Sequence, residues 1–107
     1  MVKVFALYKK PQEPAEFDRK YNDEHLPLAL KMPGLRKLEI AKITESPMGE
    51  PNVYMVAELY FDSMESAKAA MSSPEGKAAG KNIMSFAGDI VHLVYAEVEE
   101  KVPVGAK

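Results

Sequence analysis

The segment Tyr21-Asn22-Asp23-Glu24-His25-Leu26-Pro27-Leu28 places a histidine where an amphipathic helix should bury its apolar face. Phe17, Tyr21 and His25 recur at i, i+4 and i+8, so one side of the helix carries all three. Histidine, with an ordinary pKa of about 6.5, is the side chain most easily tuned to move protons near neutral pH. In an apolar stripe it is either a packed residue bonded to backbone or water, or a general acid or base facing a substrate. Tyr21, one turn earlier, either sets a phenol hydroxyl beside the imidazole or fills the core with its hydroxyl reaching water.

Glu58 is the second chemical anomaly. It is the one charge in Tyr54-Met55-Val56-Ala57-Glu58-Leu59-Tyr60-Phe61, a run otherwise suited to a core. A carboxylate is rarely buried without a partner. One available partner is His25, which a carboxylate would orient; the other is Lys42 or Lys37 on a neighbouring strand. Tyr54, Tyr60 and Tyr95 either line a cavity or pack. His92 shares a strand face with Ile90 and Val94, which points it into a core or an interface. The two histidines lack the compact spacing of a metal site, and no metal is expected. No glycine-rich phosphate loop, nucleophile elbow or dinucleotide fingerprint is present, so no cofactor is expected either.

The elements that must position these residues follow from the pattern. Val2 to Tyr8 is a compact apolar run and reads as a strand buried on both faces. The stretch Glu13-Pro14-Ala15-Glu16-Phe17 opens a helix, with proline and acids in the favoured first turn. Pro27 should end or kink that helix, and Pro33-Gly34 marks a turn. Leu35 to Thr44 alternates as a second strand, residues 45–52 form a hairpin loop, and Tyr54 to Phe61 is the third strand. Asp62-Ser63-Met64-Glu65 caps a helix with an apolar stripe of Met64, Ala67 and Met71, and Ser73-Pro74-Glu75 restarts another. Ile90 to Val98 is the fourth strand.

The order strand, helix, strand, strand, helix, strand predicts an α+β, ferredoxin-like βαββαβ fold with a four-stranded antiparallel sheet. Residues 1–98 make the domain and 99–107 a C-terminal tail. Strands apolar on both sides need cover on the face away from the helices, and a second copy provides it. A homodimer is therefore expected.

Composition narrows the partners. A chain of 107 residues builds one core. A net charge of −2 favours neither nucleic acid nor an anionic membrane. The absence of cysteine excludes disulfides, thiolate metal sites and cysteine nucleophiles. No apolar run approaches the roughly 20 residues that span a bilayer, and the N-terminus does not read as a signal peptide. A cytoplasmic location is expected.

The chain resembles the EthD family, small proteins named for ethyl tert-butyl ether degradation. The likeness runs through Phe17, Tyr21, His25, Pro27 and Leu28 into Pro33-Gly34-Leu35. It continues through Ala57-Glu58-Leu59-Tyr60-Phe61-Asp62-Ser63, Ser73-Pro74-Glu75-Gly76 and Phe86. One departure is Asn22, where the family pattern sets a tryptophan. The resemblance implies two sheets packed as a dimeric α/β barrel, a superfamily that includes isomerases, cyclases, decarboxylases, monooxygenases and haem-degrading enzymes.

Together these readings predict an enzyme acting on a small apolar or aromatic carbonyl compound held between helices and sheet. His25 would shuttle the proton, Glu58 orient it and Tyr21 bind an oxygen. Isomerisation, cyclisation, decarboxylation or cofactor-free oxidation would suit, in the catabolism of an organic compound. The alternatives are a non-catalytic binding or accessory protein of a degradation pathway, and a haem-binding protein with His25 as axial ligand.

Overall fold

A computed structural model describes residues 1–105 of the chain. The elements are β1 (Val2–Tyr8), α1 (Pro14–Lys20), a π-helical turn (Tyr21–His25), α2 (Leu26–Ala29), β2 (Lys37–Lys42), β3 (Met55–Phe61), α3 (Met64–Ser72), α4 (Pro74–Ala87) and β4 (Val91–Glu97). The strands form one sheet in the order β2-β3-β1-β4, with every neighbour antiparallel. This is the expected α+β, ferredoxin-like arrangement.

Alternation decides what each face of the sheet does. Val2, Val4, Ala6 and Tyr8 of β1 and Met55, Ala57, Leu59 and Phe61 of β3 are buried beneath the helices. Their neighbours Lys3, Phe5, Leu7, Val56, Glu58 and Tyr60 point the other way and are half-buried. The reading of β1 as buried on both faces is therefore corrected for the single subunit: the helices cover one side only.

Small residues let the helices come close. Ala67 and Ala70 of α3 and Ala79, Ile83 and Ala87 of α4 are buried against the sheet and one another. Ser63 caps α3 by accepting from the Ser66 amide at 3.1 Å, and Ser73 caps α4 by accepting from the Gly76 amide at 3.0 Å. At Gly76 the first turn of α4 lies so close to the end of α3 that a Cβ would overlap the Ala70 carbonyl.

After β4, Val98 donates its amide to the Met1 carbonyl at 3.1 Å, and residues 98–105 form neither helix nor strand. The tail's last two positions, 106 and 107, lie outside the described residues. Among the described residues, no helix is long and apolar enough to cross a membrane.

Candidate active site

The turn that carries His25 is not an ordinary α-helical one. Between Tyr21 and His25 the backbone widens to a π-helix, and the Leu26 amide donates to the Tyr21 carbonyl five residues back. Pro27 explains the need. It has no amide hydrogen, and its ring would press on the carbonyl four residues before it in a regular helix. The wider turn accommodates the proline, so the helix continues to Ala29 instead of ending.

Aromatic side chains gather around this turn. The Tyr21 and His25 rings lie 5.1 Å apart at 44°, and Phe17 stacks on Tyr21 at 5.8 Å and 26°. Tyr8, rising from the central strand, meets Tyr21 edge-on at 5.6 Å and Phe17 at 5.4 Å. His25 is 8% exposed and is the buried polar side chain of the core. It borders an apolar cavity of about 50 Å³ between sheet and helices, lined also by Tyr8, Tyr21, Met32, Met71, Gly80, Ile83 and Leu93. A larger surface groove of about 400 Å³ beside α1 is lined by Lys10, Glu13, Glu16, Lys20 and Asp89 and does not reach the imidazole.

Electrostatics follow from that burial. Loss of hydration pushes the His25 pKa below its ordinary value, while contacts with the Asn82 side chain and the Ala79 carbonyl oppose the shift. The imidazole is thus neutral at pH 7 and able to accept a proton. Burial pushes the Tyr21 phenol up to about 12, with the Tyr8 hydroxyl opposing it. Burial also raises Tyr8, assisted by Tyr21. Both phenols therefore stay protonated and serve as donors. A neutral base beside a phenol donor in an apolar cleft suits proton abstraction next to a carbonyl, with the phenol bonding the oxygen that gains charge.

Glu58 does not join this group. It faces away from the helices, where its carboxylate accepts from the Lys3 ammonium at 2.9 Å. The expectation that it orients His25 is corrected. Strand alternation sends Met55, Ala57 and Leu59 toward the helices and Glu58 to the opposite face. Lys3 is diagonal to it across the β1–β3 ladder and is its partner in place of His25, Lys42 or Lys37.

Other sequence candidates are elsewhere. Tyr54 donates to Asp18 at 3.0 Å, and Tyr60 donates to Glu39 at 2.6 Å on the open sheet face. Tyr95 and His92 are exposed on β4, His92 on the open face beside Leu7. Among the described residues, no cluster of three or more histidine or acidic side chains is placed to hold a metal. The space beside His25 is far too small for a porphyrin in this conformation.

Sequence reasoning missed two residues near His25: Tyr8, which meets Tyr21 and lines the same cavity, and Asn82, which lies beside the imidazole. Tyr8 shares the helix-facing side of β1 with Val4 and Ala6, a phase legible in the alternation. Asn82, between polar and apolar positions of α4, carries no comparable signal.

A four-stranded antiparallel sheet with helices on one face defines an α+β, ferredoxin-like protein, with a buried histidine bordering the apolar cavity between the layers. Comparison with known proteins names the group. The EthD domain model matches residues 9–89, and the chain belongs to the EthD family.

The chain is 32% identical over 103 residues to an uncharacterized 11.0 kDa protein in the thcB–thcC intergenic region of Rhodococcus erythropolis, covering 96% of this chain and 100% of that one. It is 44% identical to an ethyl tert-butyl ether (EthD) family protein from Bacillus halodurans C-125, with a TM-score of 0.89 over 92% of this chain and 99% of the other. Two remoter solved structures share the fold alone. One is a hydroxynitrile lyase from Passiflora edulis, 14% identical with a TM-score of 0.73 over 95% and 96% of the two chains. The other is a dimeric ferredoxin-like protein of unknown function from Thermobifida fusca YX, 15% identical with a TM-score of 0.67 over 91% and 90%.

Proposed function

We propose that the protein is an enzyme that moves a proton on a small apolar or aromatic carbonyl compound, in the breakdown of an organic molecule. His25 is its general acid and base, and the Tyr21 hydroxyl binds the substrate oxygen. One observation carries the reading: a neutral, buried imidazole borders an otherwise apolar cavity, with a protonated phenol beside it. Isomerisation, cyclisation, decarboxylation or a lyase reaction of a carbon acid fits that pair. Cofactor-free oxidation also fits where the substrate itself is electron-rich once deprotonated. A hydroxynitrile lyase with the same fold supports lyase chemistry.

Size constrains the substrate. A cavity of about 50 Å³ is smaller than the ~150 Å³ apolar cavity that takes benzene. Met32 and Met71 line it and are unbranched and adaptable, so their rotation would enlarge it.

The subunit works as a pair. The open face of the sheet carries half-buried Phe5, Leu7, Val56 and Val94 around the Lys3–Glu58 and Tyr60–Glu39 contacts. A second sheet laid on it removes that apolar surface from water, and the dimeric relative of the same fold supports the arrangement. Glu58 then belongs to the space between two sheets and not to the His25 site.

The experiment is a screen of small aromatic and aliphatic ketones, lactones and hydroxynitriles against the wild type and His25→Ala. Turnover lost in His25→Ala supports the enzyme. Binding that survives His25→Ala, with no turnover in either protein, replaces it with a carrier.

A further inference from the structure

Asn82 lies on α4, one turn beyond Ala79, and its amide touches groups of opposite kind at its two ends. Nδ2 reaches the Glu24 carboxylate at 3.5 Å. An ionised carboxylate only accepts, so this contact fixes the amide with its NH₂ outward and its oxygen inward. Oδ1 is accordingly buried, and no donor meets it. On His25, Nδ1 is likewise buried and has no partner. The Asn82 side chain and the Ala79 carbonyl both stand close enough to the imidazole to favour its protonated form, and both can accept from a ring N–H.

A buried polar atom left unpaired is unfavourable, and here two of them sit on neighbouring side chains. One bond satisfies both, and only one direction is chemically available. An amide oxygen cannot donate, so the hydrogen must come from the ring. We propose that Asn82 is the positioning residue of the site: its Oδ1 accepts from Nδ1–H of His25, holding the imidazole in the tautomer that leaves Nε2 as the bare nitrogen. Glu24 supports this from the other end of the amide by polarising it, which makes Oδ1 a better acceptor. The orientation matters because a general base needs its lone pair on the nitrogen that faces the substrate.

The inference deepens the reading of His25 as the base and rests on it for its catalytic consequence, but the tautomer itself is testable without a substrate. The experiment is long-range ¹H–¹⁵N correlation on uniformly ¹⁵N-labelled protein, at a pH where His25 is neutral, with His92→Gln used to assign the two rings. The expected spectrum shows a protonated-type Nδ1 and a bare-type Nε2 for His25. In Asn82→Ala that preference reverses toward the Nε2–H form favoured by free histidine in water.

A wild-type His25 protonated on Nε2 overturns the proposal, even if no variant folds. So does a tautomer unchanged in a folded Asn82→Ala. Turnover that depends on His25 in a protein with the Nε2–H tautomer keeps the enzyme and removes Asn82. An Nδ1–H tautomer with no turnover on any carbonyl keeps Asn82 and removes the enzyme.

Discussion

The rings of Tyr21 and His25 lie 5.1 Å apart across a single π-helical turn, the phenol and the imidazole both facing the cavity between sheet and helices. That turn closes its hydrogen bond five residues back, from the Leu26 amide to the Tyr21 carbonyl, and its first and last residues are the two members of the pair. Pro27 is thus linked to the site. The residue that disfavours a regular helix stands just after the wider turn that carries both polar groups.

Tyr21→Phe tests the phenol's role with the packing kept. The ring still stacks on Phe17, so stability should change by no more than about 1.5 kcal/mol, the usual net worth of one hydrogen bond. Under the proposed mechanism activity should fall on the order of tenfold or more, because the phenol would bond an oxygen that gains charge in the transition state. Urea denaturation and kcat/KM on one preparation separate the two effects.

The pH dependence of stability follows from His25. Its folded pKa is depressed by burial, so the native state binds fewer protons than the unfolded chain through the window below about 6.5. The stabilising contribution is complete above the unfolded value and is lost as pH falls through the folded one. Denaturation midpoints should therefore decline on acidification beginning near pH 6.5, and His25→Phe should flatten that part of the curve. Glu16, Glu39 and Asp62, whose pKa values are lowered by Arg19, Tyr60 and Arg36 respectively, act only in the separate window at and below the ordinary carboxylate range.

Glu58→Gln separates the two faces of the sheet. The carboxylate is bonded to Lys3 on the side away from the helices, so the titration of His25 by NMR should be unchanged in the variant. A displaced His25 titration would show that the two residues communicate through the sheet.

Gly76→Ala should destabilise the fold although alanine is the better helix former. A Cβ there overlaps the Ala70 carbonyl where α4 crosses the end of α3. Separation of the helices costs about 1–3 kcal/mol, as for other overpacked cores, and a lower urea midpoint with an unchanged slope would record it.

The dimer has its own check. Val56→Asp places a charge in the centre of the open sheet face without touching the helix side. Analytical ultracentrifugation at micromolar concentration should give a dimer for the wild type and a monomer for the variant. A wild-type monomer would remove the paired-sheet reading.

Much of this molecule was legible in the sequence because local patterns are short-range. The strand alternation, the serine caps at 63 and 73 and the Phe17-Tyr21-His25 stripe depend on neighbours within a few residues, and the structure shows each of them. The burial of His25 follows from the same stripe. What the sequence could not supply was which distant groups meet. Glu58 and His25 are both anomalies of type in apolar surroundings, and only the strand's phase relative to the helices separates them by the thickness of the sheet. Lys3 finds Glu58 through a register set by the whole β1–β3 ladder. Asn82 reaches His25 because α4 packs across the π-helical turn, a contact between residues more than fifty positions apart along the chain. Periodicity thus determined which residues turn inward. Register and helix packing, which are sums of many long-range contacts, decided which of them share a site.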